Sequence, residues 1–130
     1  MIILDTCVII WDALDRKQLS STAKKKIDTN HSDDVIVSDI SLWEISLLIH
    51  RKRLKIDVSA AHFLDLYLQA RGYLVQPITS AIAELSVGLD KSINNDPADR
   101  LIAATSIVLN ASLITADNNL RKAKILNTIW

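Results

Sequence analysis

The chain has 130 residues, 49% of them apolar, which suits one domain built around one hydrophobic core. Lysine plus arginine number 15 and aspartate plus glutamate number 15, so the formal net charge is zero and a grip on nucleic acid by bulk charge alone is excluded. A single cysteine excludes an intrachain disulfide, and two glycines with two prolines leave no long flexible linker or low-complexity segment.

Met1 to Leu4 is a short apolar run that predicts a buried strand. Cys7-Val8-Ile9-Ile10-Trp11 then starts a helix, and Ser20-Ser21 caps another running toward Asn30. Val35 to Val37 is a second strand, and Ser41 opens a helix reaching about Arg53. Val58 to Arg71 reads as a helix with Ala61, Leu64 and Leu68 on one face and His62, Asp65 and Gln69 on another, ended by Gly72. Leu74 to Ile78 is a third strand, and Thr79 to Leu89 a further helix. Asp96 caps a helix with Pro97 in its favoured first-turn place. Leu113 to Thr115 is the fourth strand, Asn118 to Ala123 a short helix, and Thr128 to Trp130 a final strand.

Short apolar strands alternating with helices imply an α/β fold: a three-layer α/β/α sandwich, one domain over residues 1–130, with a short-stranded, mainly parallel central sheet. In such sheets the functional crevice lies at the carboxyl ends of the strands. No signal-peptide pattern and no long uncharged apolar run is visible, so a cytoplasmic protein without membrane association is expected.

Four acids stand beside apolar elements, where a carboxylate is costly unless its charge is compensated. Asp5 ends the first strand, Glu44 lies inside Leu42-Trp43-Glu44-Ile45-Ser46-Leu47-Leu48-Ile49, Asp99 opens Leu101-Ile102-Ala103-Ala104, and Asp117 follows Leu113-Ile114-Thr115-Ala116. Each has a local explanation. Asp96 and Asp99 form a capping arrangement in a first helical turn, Ser41-Leu42-Trp43-Glu44 matches a capping box, and Asp117 can cap the short helix after it. Asp5 is the acid that local structure explains least, because acids are depleted in strands and no cation is near it in sequence. Thr6 beside it can hydrogen-bond a carboxylate. One divalent cation would compensate all four acids, and hard oxygen ligands without cysteine or clustered histidine point to Mg²⁺ or Mn²⁺. His31, His50 and His62 lie outside the acidic segments. If the acids converge, the rest of the surface is net basic. Lys24-Lys25-Lys26 reads as a solvated helix end, whereas Arg51-Lys52-Arg53-Leu54-Lys55 and Arg121-Lys122-Ala123-Lys124 serve equally as helix ends or as basic patches.

Leu4-Asp5-Thr6, Ser38 with Ser41-Leu42-Trp43-Glu44-Ile45, Asp96-Pro97-Ala98-Asp99-Arg100-Leu101-Ile102-Ala103-Ala104 and Thr115-Ala116-Asp117 occur in this order along essentially the whole chain, which ends in Trp130. The pattern resembles the PIN-domain ribonucleases, in particular the VapC-like toxins of bacterial type II toxin–antitoxin pairs. The Asp96 to Ala103 segment is its most specific part.

The resemblance implies a metal-dependent endoribonuclease whose four acidic positions fall on Asp5, Glu44, Asp99 and Asp117. Asp5, Asp99 and Asp117 are the expected ligands of Mg²⁺ or Mn²⁺, and Glu44 the acid that orients or deprotonates the attacking water. Asp96 is similar to an accessory acid, and Thr115 matches a hydroxyl position near the metal, with Thr6 as a further accessory. Arg51, Arg53, Lys55 and Arg100 are candidate contacts to the RNA backbone. The family further implies a homodimer and a partner antitoxin. Two departures are present: Asn94-Asn95 stands where relatives often carry histidine or a basic residue, and Asn118-Asn119 replaces a commoner acidic pair. They leave the metal site intact and bear on substrate preference.

Three competing readings remain at this point. A phosphotransfer domain would also use a strand-end aspartate and Mg²⁺, but the phosphatase pattern wants a second aspartate where Cys7 stands, and a receiver wants an N-terminal acid pair and a late lysine. A non-catalytic α/β binding module would use the acids only as helix caps. A PIN-domain nuclease working in RNA processing would have no antitoxin.

Overall fold

The computed structural model describes residues 1–130. Five strands, β1 (Ile2–Leu4), β2 (Val35–Ser38), β3 (Leu74–Gln76), β4 (Ser112–Ile114) and β5 (Thr128–Ile129), alternate with seven helices. The helices are α1 (Thr6–Leu14), α2 (Ser21–Thr29), α3 (Asp39–His50), α4 (Ala60–Arg71), α5 (Ser80–Gly88), α6 (Pro97–Val108) and α7 (Asn118–Lys122). Short 3₁₀ turns at Arg16–Gln18, Ser32–Asp34 and Lys91–Ile93 join them.

The strands form one sheet in the order β3-β2-β1-β4-β5, and every neighbouring pair is parallel. Ile3 lies in register with Ile36 on one side and Leu113 on the other. Parallel pairing needs a crossover after each strand, and the helices supply it while covering both faces.

The period-two alternation of strand side chains divides the core. Ile2, Leu4, Val35, Val37 and Ile114 face one cluster, built with α1 to α4. Ile3, Ile36 and Leu113 face a second, built with Ile82 of α5, Ile102, Ala103 and Ala104 of α6 and Leu120 of α7. The result is the three-layer α/β/α sandwich that the sequence predicts, with a fully parallel sheet.

Helix ends follow local chemistry. Ser20, Ser59 and Thr79 cap α2, α4 and α5 through side-chain oxygens that accept backbone N–H bonds. Gly72 ends α4 at φ +68, a left-handed conformation that costs glycine little.

Helix α3 differs from the expectation at both ends. It begins at Asp39 with Ser38 in the N-cap position, and it stops at His50, where Lys52 takes φ 58. Ser41 therefore sits inside the first turns, and the expected capping box from Ser41 to Glu44 does not form. Strand β3 also differs: it ends at Gln76, lies at the sheet edge, and leaves Leu74 and Val75 exposed.

Candidate active site

The strand order reverses at β1, so the crevice at the carboxyl ends of β1 and β4 is where a site forms in this topology. Asp5 directly follows β1, and Thr115 directly follows β4. Asp5, Thr6, Glu44, Asp96, Asp99 and Asp117 line one cleft there, with Cys7, Trp11, Leu48 and Ala116. All four main acidic candidates and two accessories thus converge from α3, α6 and the two strand ends.

Three of these carboxylates are helix caps as well. Asp96 Oδ1 accepts from the N–H of Ala98 at the start of α6, and Asp117 Oδ1 from that of Leu120 at the start of α7. Asp5, the acid that its local sequence explains least, is a cap too: its Oδ1 accepts from the N–H of Thr6 at 2.8 Å, at the start of α1. Capping therefore does not separate Asp5 from the others. Burial does.

Asp5 is only 7% exposed. Its second oxygen accepts a bond from the Thr115 hydroxyl at 2.6 Å, and Thr115 Oγ1 in turn accepts from the N–H of Asp117 at 3.0 Å. Thr6 donates its hydroxyl proton to Glu44 Oε1. Since that hydroxyl has one proton, the 2.9 Å contact between Thr6 and Ser41 makes Ser41 the donor. The two threonines thus hold Asp5 and Glu44 in place.

Asp99 does not close a capping box with Asp96. Its Oδ2 accepts from Asn94 Nδ2 at 3.1 Å, and the same amide reaches Asp117 Oδ1 at 3.3 Å. Asn119 donates to Asn94 Oδ1 at 2.8 Å. Positions 94 and 119, one from each of the two segments that depart from the family pattern, therefore meet beside the acids. Asn94 adopts φ 149, a region that side-chain-bearing residues rarely visit. Its structural role is not visible in the sequence. A strained backbone and a long-range amide contact leave no local signature.

Asp5, Glu44 and Asp99 have raised pKa values. Burial first, then the charges of Asp5, Asp96, Glu44 and Asp117, push Asp99 up to about 7. Burial is also the leading cause for Asp5 and Glu44, opposed by their threonine bonds and reinforced by neighbouring acids. The Cys7 thiol in the same cleft is pushed up to about 11 by burial and by the acids, which argues against a thiolate nucleophile.

None of these acids is in an ion pair with a cation of the chain. Its three ion pairs join Arg16 and Arg71 to Asp12 and Arg16 to Asp28, away from the cleft. The donor set is all oxygen, and His31, His50 and His62 are exposed elsewhere. That chemistry fits a hard divalent ion. As the side chains stand, no three of them form a ready coordination cage. The amide of Asn94 stands between Asp99 and Asp117.

The basic candidates fall into different places. Arg51 lines an adjoining groove with Trp43, Glu44, Leu47, Leu48 and Asp96, so it stands beside the acids. Arg53 is exposed just beyond α3, and Lys55 lines a separate groove with Ile49, Lys52, Leu54 and Ile56. Arg100 is engaged elsewhere. Its guanidinium donates to the carbonyls of Ser86, Leu89, Asp90 and Asn94, fastening the loop before α6. That places it as a brace for the loop that carries Asn94, not as a free cation facing the cleft.

A doubly wound parallel sheet with a carboxylate-lined cleft at its switch point defines a Rossmann-like α/β domain with an acidic cleft. The family profile of the PIN domain matches residues 2–126, and the chain belongs to the PIN-domain family. It is 32% identical over 131 residues to Ribonuclease VapC22 of Mycobacterium tuberculosis, covering 99% of this chain and 98% of that protein. The fold is similar to that of VapBC2 from Rickettsia felis bound to a DNA fragment from their promoter, with a TM-score of 0.70, 18% identity, and 98% and 97% of the two chains covered. It is also similar to FitAcB from Neisseria gonorrhoeae, with a TM-score of 0.68, 22% identity, and 98% and 96% covered. At these identities the solved structures speak to the fold alone.

Proposed function

We propose that the protein is a metal-dependent endoribonuclease and the toxin of a toxin–antitoxin pair. The observation that carries the reading is the cleft itself: Asp5, Glu44, Asp96, Asp99 and Asp117 converge there, and none of them is in an ion pair. Membership of the PIN-domain family and likeness to a VapC ribonuclease along the full chain support the same activity.

Asp5, Asp99 and Asp117 are the residues that would hold Mg²⁺ or Mn²⁺. When bound, such an ion neutralises the acids, lowers the pKa of water and stabilises charge developing on phosphate oxygens. Glu44, held by Thr6, orients and deprotonates the attacking water, and its raised pKa makes it a better base than an ordinary glutamate. Thr115 fixes the rotamer of Asp5. Asp96 supplies further negative charge at the rim. Arg51, Arg53 and Lys55 serve the RNA backbone from the α3 side, giving an affinity that falls with salt.

The partner in this reading is an antitoxin protein, and the working form a homodimer. The groove of Ile40, Trp43, Leu47 and Leu48 adjoins the acids, so a chain seated there would block access to them. No helix is long and apolar enough to cross a membrane. The non-catalytic module loses its main argument, because capping explains the position of three acids and not their convergence.

The test is cleavage of a mixed RNA pool in Mg²⁺, Mn²⁺ or EDTA, with the ends mapped. Cleavage is expected with either metal and absent in EDTA. Asp5→Asn and Asp99→Asn should abolish it while circular dichroism shows an intact fold; wild-type rates from either purified variant would sink the assignment. Co-purification with the product of an adjacent small open reading frame should suppress cleavage if the protein is a toxin, and an RNA-processing nuclease would have no such inhibitor.

A further inference from the structure

A second groove adjoins the acidic cleft. Trp11 lies one helical turn after Cys7 on α1, and both line the acidic cleft. The Trp11 ring packs against Trp130 with centroids 5.8 Å apart and planes tilted by 49°. Trp130 lines the second groove with Asn118, Arg121, Lys122 and Thr128. The two grooves are neighbours: the Trp11 indole of one touches the Trp130 indole of the other, and consecutive residues Asp117 and Asn118 line one groove each. Both indoles are half-buried, so each is held by the core and still open to solvent. Arg121 and Lys122 are exposed and make no ion pair.

A polyanion approaching five carboxylates needs cations close by, and the zero net charge offers no general attraction. The groove beyond Trp130 provides two. Aromatic faces followed by cations also match the chemistry of a single strand, in which a base and a phosphate alternate. Unpaired bases stack on indoles with little sequence preference, whereas a duplex keeps its base faces hidden.

We propose that Trp11, Trp130, Arg121 and Lys122 form a binding track for the single-stranded RNA segment leaving the acidic cleft, with the indoles stacking bases and the two cations holding phosphates. The track rests on the nuclease reading and names the form of RNA that the site takes.

The test compares the wild-type protein with Arg121→Ala/Lys122→Ala, both in a Trp43→Phe background so that only Trp11 and Trp130 fluoresce. A short single-stranded RNA is titrated in EDTA at several salt concentrations. Indole emission should be quenched on binding. In the double variant, affinity should fall on the order of tenfold at low salt, and the slope of log K against log salt should become shallower by about 1.4, roughly 0.7 for each phosphate that is no longer neutralised. A duplex of the same sequence should not quench. With Mg²⁺ present, the double variant should raise KM and leave kcat unchanged.

Unchanged affinity and salt slope in the double variant would overturn the track, as would equal quenching by duplex. Impaired binding to a partner protein, with RNA binding intact, would also overturn it by assigning the cations to a protein interface. Failure of the nuclease reading looks different: the wild-type protein would cleave no RNA with any metal, and the binding titration would still judge the track.

Discussion

Thr115 donates its hydroxyl proton to Asp5 across 2.6 Å, joining two strand ends that lie 110 residues apart in the chain. The bond spans the switch point of the sheet and fixes the orientation of the most buried carboxylate of the cleft. Partners of this kind act by orienting a ligand, and losing one typically costs about 10–100-fold in metal affinity. Thr115→Val keeps the shape of the side chain and removes the donor. We expect Mn²⁺ affinity to fall on the order of tenfold in a calorimetric titration, with cleavage falling in parallel. An unchanged titration would show that Thr115 is only a packing residue.

Asp99 gives the metal-free protein a characteristic pH dependence. Its pKa stands at about 7 in the folded protein against an ordinary 3.8. Below about pH 4 it is protonated in both states and contributes no difference. As pH rises from about 4 to about 7, the unfolded chain releases a proton that the folded protein keeps, so stability falls; above 7 the penalty is complete. Asp99→Asn removes this penalty. In EDTA the variant should melt at nearly the wild-type temperature near pH 4 and several degrees higher near pH 7, a gain on the order of 1 kcal/mol or more. Adding Mn²⁺ should raise the wild-type melting temperature and leave the variant nearly unmoved. A variant that melts below wild type throughout this range would refute the repulsive cluster.

Asp12 carries the principal buried charge away from the cleft. Its carboxylate is fully buried and accepts from Arg16 Nε at 3.1 Å, Arg71 Nη2 at 2.9 Å and the Tyr67 hydroxyl at 2.9 Å, with the Tyr73 hydroxyl at 3.5 Å. The network ties α1 to α4. Breaking one side of a buried charged network leaves the partners uncompensated, at a cost of roughly 3–5 kcal/mol. Asp12→Ala should therefore lower the urea midpoint sharply without changing the denaturant slope. A loss below about 1 kcal/mol would mean that water replaces the carboxylate at little cost.

The difference between Asp12 and Asp5 shows what the sequence makes legible. Asp5 announces itself by following three apolar residues, and Asp96-Pro97 by its capping grammar, so the sheet and the order of the helices are readable from the residues alone, whereas Asp117 is singled out chiefly by the family resemblance. Asp12 sits in a helix where an acid at the surface is ordinary, and its partners Tyr67 and Arg71 are more than 50 residues away. Only the packing of α4 on α1 turns it into a buried charge. The start of α3 is hidden for a related reason: Ser38 takes the N-cap position without a side-chain bond, so the stronger Ser41-to-Glu44 capping pattern points to the wrong residue. Asn94 and Arg100 act through backbone carbonyls and long-range amides, for which side-chain identity alone gives no pattern.

Arg100 therefore separates a brace from a phosphate contact. It donates to the carbonyls of Ser86, Leu89, Asp90 and Asn94, which closes the end of α5 onto the loop leading into α6. Charge-assisted bonds of this type are worth about 1.5–3 kcal/mol when they cannot be replaced. Arg100→Ala should lower stability by roughly 2 kcal/mol, measured by urea unfolding. Arg100→Lys should recover little of it, because an ammonium cannot reproduce the planar fork that reaches several carbonyls at once. The salt slope of RNA binding by the folded variant should match that of wild type. A shallower slope with undiminished stability would instead make Arg100 a backbone contact. A recovery of stability in the lysine variant would show that its charge, not its fork, holds the loop.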